Sequence, residues 1–100
     1  MRANAAELGI NADQIVISGN SAGGHLSLMA AGTPDRPEFE GNGGNPGIET
    51  HVSASIAFYP PTGLERRSWG GLPSLFGAGA AEDTLRTASP LTYAREGFPP

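Results

Sequence analysis

Residues 15–31, IVISGNSAGGHLSLMAA, limit what this chain can fold into more than any other stretch. A β-branched run, Ile15, Val16 and Ile17, leads directly into Gly19-Asn20-Ser21-Ala22-Gly23. A segment of helical character with Leu26, Leu28 and Met29 follows at once. Strand, G-x-S-x-G and helix in immediate succession leave no room for a loop between them. The turn must be tight, and a serine at its apex is presented above the edge of the sheet. This is the context of a nucleophile elbow, with Ser21 as the nucleophile between Gly19 and Gly23. Glycine is expected on both sides because a Cβ there would collide with the neighbouring strand or helix. The plainer alternative is a glycine-rich strand–helix turn whose serine only caps the helix.

The flanking segments extend the pattern. Residues 2–8, RANAAEL, favour helix, and Gly9 suits a left-handed end to it. Asn11-Ala12-Asp13 carries turn chemistry. Residues 14–18 are nearly all apolar, which predicts a parallel strand buried on both faces. The helix after Ser21 is expected to reach Ala31, where Gly32-Thr33-Pro34 stop it. Residues 32–50 hold five glycines and three prolines and read as a long loop. Residues 52–59, VSASIAFY, predict a second parallel strand beside the first, with the helix as their crossover. Residues 60–74 read as loop, with short helical pieces around 72–76 and 80–87 and a turn at Ser89-Pro90-Leu91. The fold class is therefore α/β. Two parallel strands are too small a sheet to stand alone, so residues 1–100 are expected to be the middle of a larger domain.

Composition narrows the function classes. The net charge is −4, and all six basic residues are arginines. Without a basic patch there is nothing to hold a phosphate backbone, which argues against nucleic acid as a partner. Arg66-Arg67 is the one basic pair and reads as a solvated loop. The absence of cysteine removes disulfides, thiolate chemistry and thiol metal sites. No apolar run approaches the ~20 residues of a membrane span. The N-terminus lacks the apolar core of a signal peptide, which favours the cytoplasm without fixing the compartment. Met1 is not expected to be the start of the full protein. With 15 glycines and 9 prolines the chain must contain long loops.

A serine hydroxyl is a weak nucleophile at neutral pH and needs a base, usually histidine, oriented by a carboxylate. It also needs hydrogen-bond donors for the developing oxyanion. The elbow supplies one, the backbone N–H of Ala22, at the positive end of the following helix.

The sequence Gly19-Asn20-Ser21-Ala22-Gly23-Gly24-His25-Leu26 resembles the elbow of α/β-hydrolase-fold serine esterases. It is most similar to the carboxylesterase and hormone-sensitive-lipase-like group, including its feruloyl-esterase-like branch. RANAAELGINADQIVISG resembles the helix and strand before that elbow, SASIAFYP the next strand, and ASPLTYAREGFPP the segment before the strand bearing the triad acid. The resemblance covers nearly the whole chain and implies a central fragment, residues 1–100, of an α/β-hydrolase catalytic domain. It implies hydrolysis of small-molecule carboxylic esters through an acyl-enzyme on Ser21, with no metal or cofactor. It also implies that the His-Gly-Gly oxyanion loop precedes this region and that the triad acid and histidine follow Pro100, leaving the fragment close to inactive alone. A non-catalytic binding module on the same scaffold, or a peptidase or thioesterase, are the alternatives.

The two histidines do not fill the missing role. His25, one turn after Ser21 on the same helix, is expected to pack against a neighbouring strand or loop and bond to backbone, with support of the elbow as the alternative. His51 precedes the second strand, at the sheet edge opposite Ser21, and is expected on the surface. Glu82 and Asp83 read as helix N-terminal charges, and Asp35, Glu38 and Glu40 as loop acids without a metal-binding partner. The loop after the second strand leaves the same sheet edge as Ser21, where parallel α/β folds build ligand sites. Tyr59 and Trp69, with Leu64 and Leu72, are the candidate pocket residues, Trp69 with the alternative of anchoring its loop to the core.

Overall fold

The computed structural model describes residues 1–34, 36–66 and 71–100. Asp35, Arg67 and Trp69, singled out from sequence, lie outside the described residues. The chain opens with a 3-10 turn, Arg2–Asn4, and a short helix α1, Ala5–Leu8. Gly9 closes α1 with φ at 65°, a conformation that its missing Cβ permits. Arg2 then straps this segment to the entrances of both strands. Its guanidinium donates to the carbonyl of Ala12 and, at 2.6 Å, to the carbonyl of His51, with Asp13 at 3.6 Å.

The sheet has two parallel strands, β1 (Val16–Asn20) and β2 (Ala54–Phe58), registered from Val16 against Ala54 to Asn20 against Phe58. β1 lies two residues later than the apolar run predicts. Gly19 and Asn20 are poor strand formers, yet the ladder runs past them, because the Ser21 N–H still donates to the Phe58 carbonyl at 3.0 Å. Helix α2 (Ala22–Gly32) starts directly after Ser21 and packs on one face of the sheet. The expectation of strands covered on both faces is corrected here. Among the described residues only the α2 side is covered, and Val16, Ile56 and Phe58 on the other side remain about half exposed. On the far edge of β2 the Ser55 N–H donates to the carbonyl of Pro100 at 2.7 Å.

The segment predicted as loop over residues 32–50 contains a single helical turn, α3 (Pro37–Glu40), with its proline at the start, where a missing N–H costs nothing. Beyond β2 come a 3-10 turn Leu64–Arg66, helix α4 (Leu72–Phe76), helix α5 (Glu82–Thr87) and a 3-10 turn Pro90–Tyr93. The last of these returns to the end of α2. Arg95 donates to the Gly32 carbonyl at 2.8 Å, and the Arg36 guanidinium and the Phe39 ring both approach the ring of Tyr93. Among the described residues the buried hydrophobic side chains, Ala5, Ala31, Leu64 and Tyr93, are few. The Cα radius of gyration is 14.8 Å, against about 13 Å for a compact domain of this length.

Gly32 marks the tightest point of that return. A Cβ at Gly32 would lie 2.9 Å from the Tyr93 Cβ and 3.0 Å from the Phe98 ring. Gly32→Ala is expected to lower stability by about 1–3 kcal/mol, read as a fall in the urea midpoint. An unchanged midpoint would show that the 90–98 segment yields without cost.

Candidate functional site

The site begins where β1 ends. Ser21 has φ 50° and ψ −118°, a left-handed conformation that L residues rarely adopt. Such a conformation costs about 1–3 kcal/mol and persists only where the surroundings impose it. The imposing contacts are visible. The Ser21 N–H is tied to Phe58, and its carbonyl accepts the first helical bond, from the His25 N–H at 3.0 Å. Held by both its N–H and its carbonyl, the residue must turn sharply.

The glycines decide whether that turn can close. A Cβ on Gly19 would lie 2.4 Å from the carbonyl carbon and oxygen of Gly23. A Cβ on Gly24 would lie 3.1 Å from the carbonyl oxygens of both Gly19 and Phe58. The collision expected at Gly23 is not found: a Cβ there meets no heavy atom of the described residues within 4 Å. The crowding falls on the backbone of Gly23 and the side of Gly24, because the first turn of α2 presses its main chain onto the strand ends. Within that turn the buried Ser27 hydroxyl donates back to the Gly23 carbonyl at 2.8 Å, a bond internal to α2.

The Ser21 side chain makes no capping hydrogen bond to α2. Serine at this position ordinarily turns its oxygen onto the first helical N–H groups. Here the φ of 50° carries the side chain away from them, and the residue is exposed. The capping alternative does not describe this serine. The N–H of Ala22, first in an 11-residue helix, is among the donors that have no carbonyl partner within the helix.

Around this turn, His25 is placed where expected. Its Nε2 donates to the Ala88 carbonyl at 2.8 Å, and a carbonyl can only accept, so that nitrogen carries the proton. His51 lies before β2, at the opposite end of the strands, half exposed, with Nδ1 3.3 Å from Glu49. Tyr59, at the end of β2, is the other non-glycine residue with positive φ among the described residues, at 39°. Its hydroxyl accepts from the Asn20 side-chain amide at 3.1 Å, and it stands largely in solvent. Glu82 pairs with Arg86 at 3.0 Å, Arg36 with Glu38 at 3.3 Å, and Glu40 accepts from Thr50 at 2.7 Å. Among the described residues no group of three or more His, Asp or Glu is placed to hold a metal ion.

Beside Ala22 a small cavity of about 50 Å³ is lined by Ala22, His25, Pro61, Leu64, Leu75 and Phe76. Of the candidate pocket residues, Leu64 lines this cavity. Tyr59 and Leu72 do not line this cavity, and Leu75 and Phe76 do. The sequence signal for them was the helical piece at 72–76, whose side-chain directions only the packing reveals. Leu64 is fixed by Ser89, which is fully buried. The Ser89 Oγ accepts from the Leu64 N–H at 2.8 Å, and its proton lies between Glu65 Oε2 at 2.6 Å and the Leu85 carbonyl at 2.7 Å. The Ser89 hydroxyl, and then the backbone N–H of Glu65, hold the Glu65 carboxyl below its ordinary pKa of 4.5. Because the folded value is the lower one, the resulting stability is complete above the ordinary value and is lost as pH falls below it.

Two outcomes are expected. Gly19→Ala should abolish the cooperative unfolding transition or sharply lower its midpoint, while Gly23→Ala should leave it nearly unchanged by urea titration. Equal losses from both would contradict the close approach at Gly19. The destabilisation caused by Glu65→Gln at neutral pH should shrink as the titration is repeated below pH 4.5, and a constant difference would contradict the Ser89–Glu65 bond.

Comparison with known proteins finds that the chain is similar to esterases. A family model described as BD-FAE matches residues 1–100. A probable carboxylic ester hydrolase, LipM, of Mycobacterium tuberculosis is 45% identical over 62 residues, covering 59% of this chain and 13% of that protein. A thermophilic esterase from the Planctomycetes species Thermogutta terrifontis, determined with propionate bound, superposes with TM-score 0.68 at 35% identity, over 99% of this chain and 35% of that one. A truncated carbohydrate esterase from gut microbiota gives TM-score 0.79 at 26% identity, over 98% of this chain and 42% of that one. The chain thus spans well under half the length of each of these relatives.

Proposed function

The chain belongs to the BD-FAE family and carries an α/β-hydrolase fold, and from that premise we propose that it is the nucleophile-bearing part of a carboxylic ester hydrolase. Ser21 is the nucleophile. Its hydroxyl oxygen attacks the ester carbonyl, the carbonyl π electrons move onto oxygen, and the serine proton passes to a base. Collapse of the tetrahedral intermediate, with the base giving that proton to the departing alkoxy oxygen, expels the alcohol and leaves an acyl group on Ser21. Water, giving a proton to the same base, then attacks the acyl carbonyl and releases the acid as the proton returns to Ser21. The Ala22 N–H meets the oxyanion at the start of α2, where the helix dipole favours negative charge.

The observation that carries this reading is the state of Ser21. It is held at φ 50° with its hydroxyl turned away from the helix it would otherwise cap. A serine that served only the helix start would have no reason to occupy so unfavourable a conformation. The base is not His25, whose Nε2 is committed to Ala88. In this reading the base, its carboxylate partner and the second oxyanion donor lie outside residues 1–100. The substrate is a small-molecule ester, and the propionate in the Thermogutta structure is consistent with a short acyl group. No helix among the described residues is long and apolar enough to cross a membrane.

The test is hydrolysis of p-nitrophenyl acetate by the longest natural chain that carries residues 1–100. Ser21→Ala should reduce turnover by a factor on the order of 10⁴ to 10⁶. Residues 1–100 alone should release p-nitrophenol only weakly. Robust, Ser21-dependent turnover by that isolated chain would overturn the assignment of the base to residues outside it.

A further inference from the structure

Two hollows share one wall, and the smaller of them lies beside Ala22. One is the cavity of about 50 Å³ beside Ala22, lined by His25, Pro61, Leu64, Leu75 and Phe76. The other is an open groove of about 440 Å³, lined by Phe39, Phe76, Asp83, Thr84, Thr87 and Ala88. Phe76 is the residue common to both linings. Beside it, His25, which lines the cavity, donates to the carbonyl of Ala88, which lines the groove.

We propose that Phe76 sets the acyl-chain length of the ester, closing the cavity beside Ala22 off from the groove between α3, α4 and α5. This rests on the reading of Ser21 as the nucleophile. An acyl group bound with its carbonyl oxygen at the Ala22 N–H has the cavity as its adjacent apolar recess. A water-sized group needs roughly 10–15 Å³ of such space, so the cavity of about 50 Å³ holds about three to five. That accommodates an acetyl to butyryl chain, whereas a chain of eight carbons extends beyond it. The far side of the Phe76 ring is a longer hollow that already carries apolar walls, Phe39 and Phe76. Trimming the ring joins the two spaces, and an extended chain gains a path that the wild type denies it. His25 remains on Ala88 in that event, since its bond does not involve Phe76.

The experiment compares kcat/KM for p-nitrophenyl acetate, butyrate and octanoate in the longest natural chain carrying residues 1–100. The wild type should favour acetate and butyrate over octanoate. Phe76→Ala should raise the octanoate-to-acetate ratio at least about tenfold, within the range by which a pocket discriminates among methylenes. If Phe76→Ala does not fold, Phe76→Val, which trims the ring but keeps an apolar wall, is read for the same rise. A wild type that prefers octanoate overturns the proposal without any variant. An unchanged ratio in a folded variant overturns the role of Phe76 while leaving the esterase reading intact. A wild type that hydrolyses none of the three esters overturns the esterase reading, and this one with it.

Discussion

The contact between the first turn of α2 and the ends of the two strands governs the rest of this molecule. The main chain at Gly23 and Gly24 lies against Gly19 and Phe58 so closely that a methyl group at Gly19 would collide with Gly23, and one at Gly24 would press on the carbonyls of Gly19 and Phe58. That approach fixes where α2 starts, and the Ser21 N–H bond to Phe58 fixes where β1 ends. One residue is left to join them, and it must take a positive φ. The strain on Ser21, the exposure of its side chain and the availability of the Ala22 N–H at a helix start all follow from this one steric condition.

Much of this was legible in the sequence, because the elbow is specified by local residues. The succession of β-branched run, glycine, serine and helix former identifies the turn, and SASIAFYP identifies the partner strand. The surroundings of His25 and His51 were also legible from their positions along helix and strand. Other features were not. The extension of β1 through Gly19 and Asn20 depends on pairing with β2, which outweighs their weak strand preference. The role of Gly24 rather than Gly23 depends on how α2 is rotated on the sheet. Open exposure of Val16, Ile56 and Phe58 was likewise invisible, since an apolar strand reads alike whether one face or both are covered.

The walls near the site come from far along the chain and are held by polar bonds that no local pattern announces. Ser89, sixty-eight residues after Ser21, positions Leu64 through its buried hydroxyl. Ala88 fixes the ring of His25 through a backbone carbonyl. Arg95 and Tyr93 clamp the far end of the same helix that Ser21 begins. The segment 88–98 thus braces α2 at both ends, and the cavity beside Ala22 inherits its shape from that bracing. Substitutions there would act on the site without touching an ester.

The central claim is that the steric closure of this turn presents Ser21 as the reacting group. It is tested most directly by treating the longest natural chain that carries residues 1–100 with diethyl p-nitrophenyl phosphate and mapping the adduct by peptide mass spectrometry. The account predicts one diethylphosphoryl group, on the peptide containing Ser21, with ester hydrolysis lost in proportion to labelling. Stoichiometric labelling of a different serine, or loss of activity with Ser21 unmodified, would contradict it.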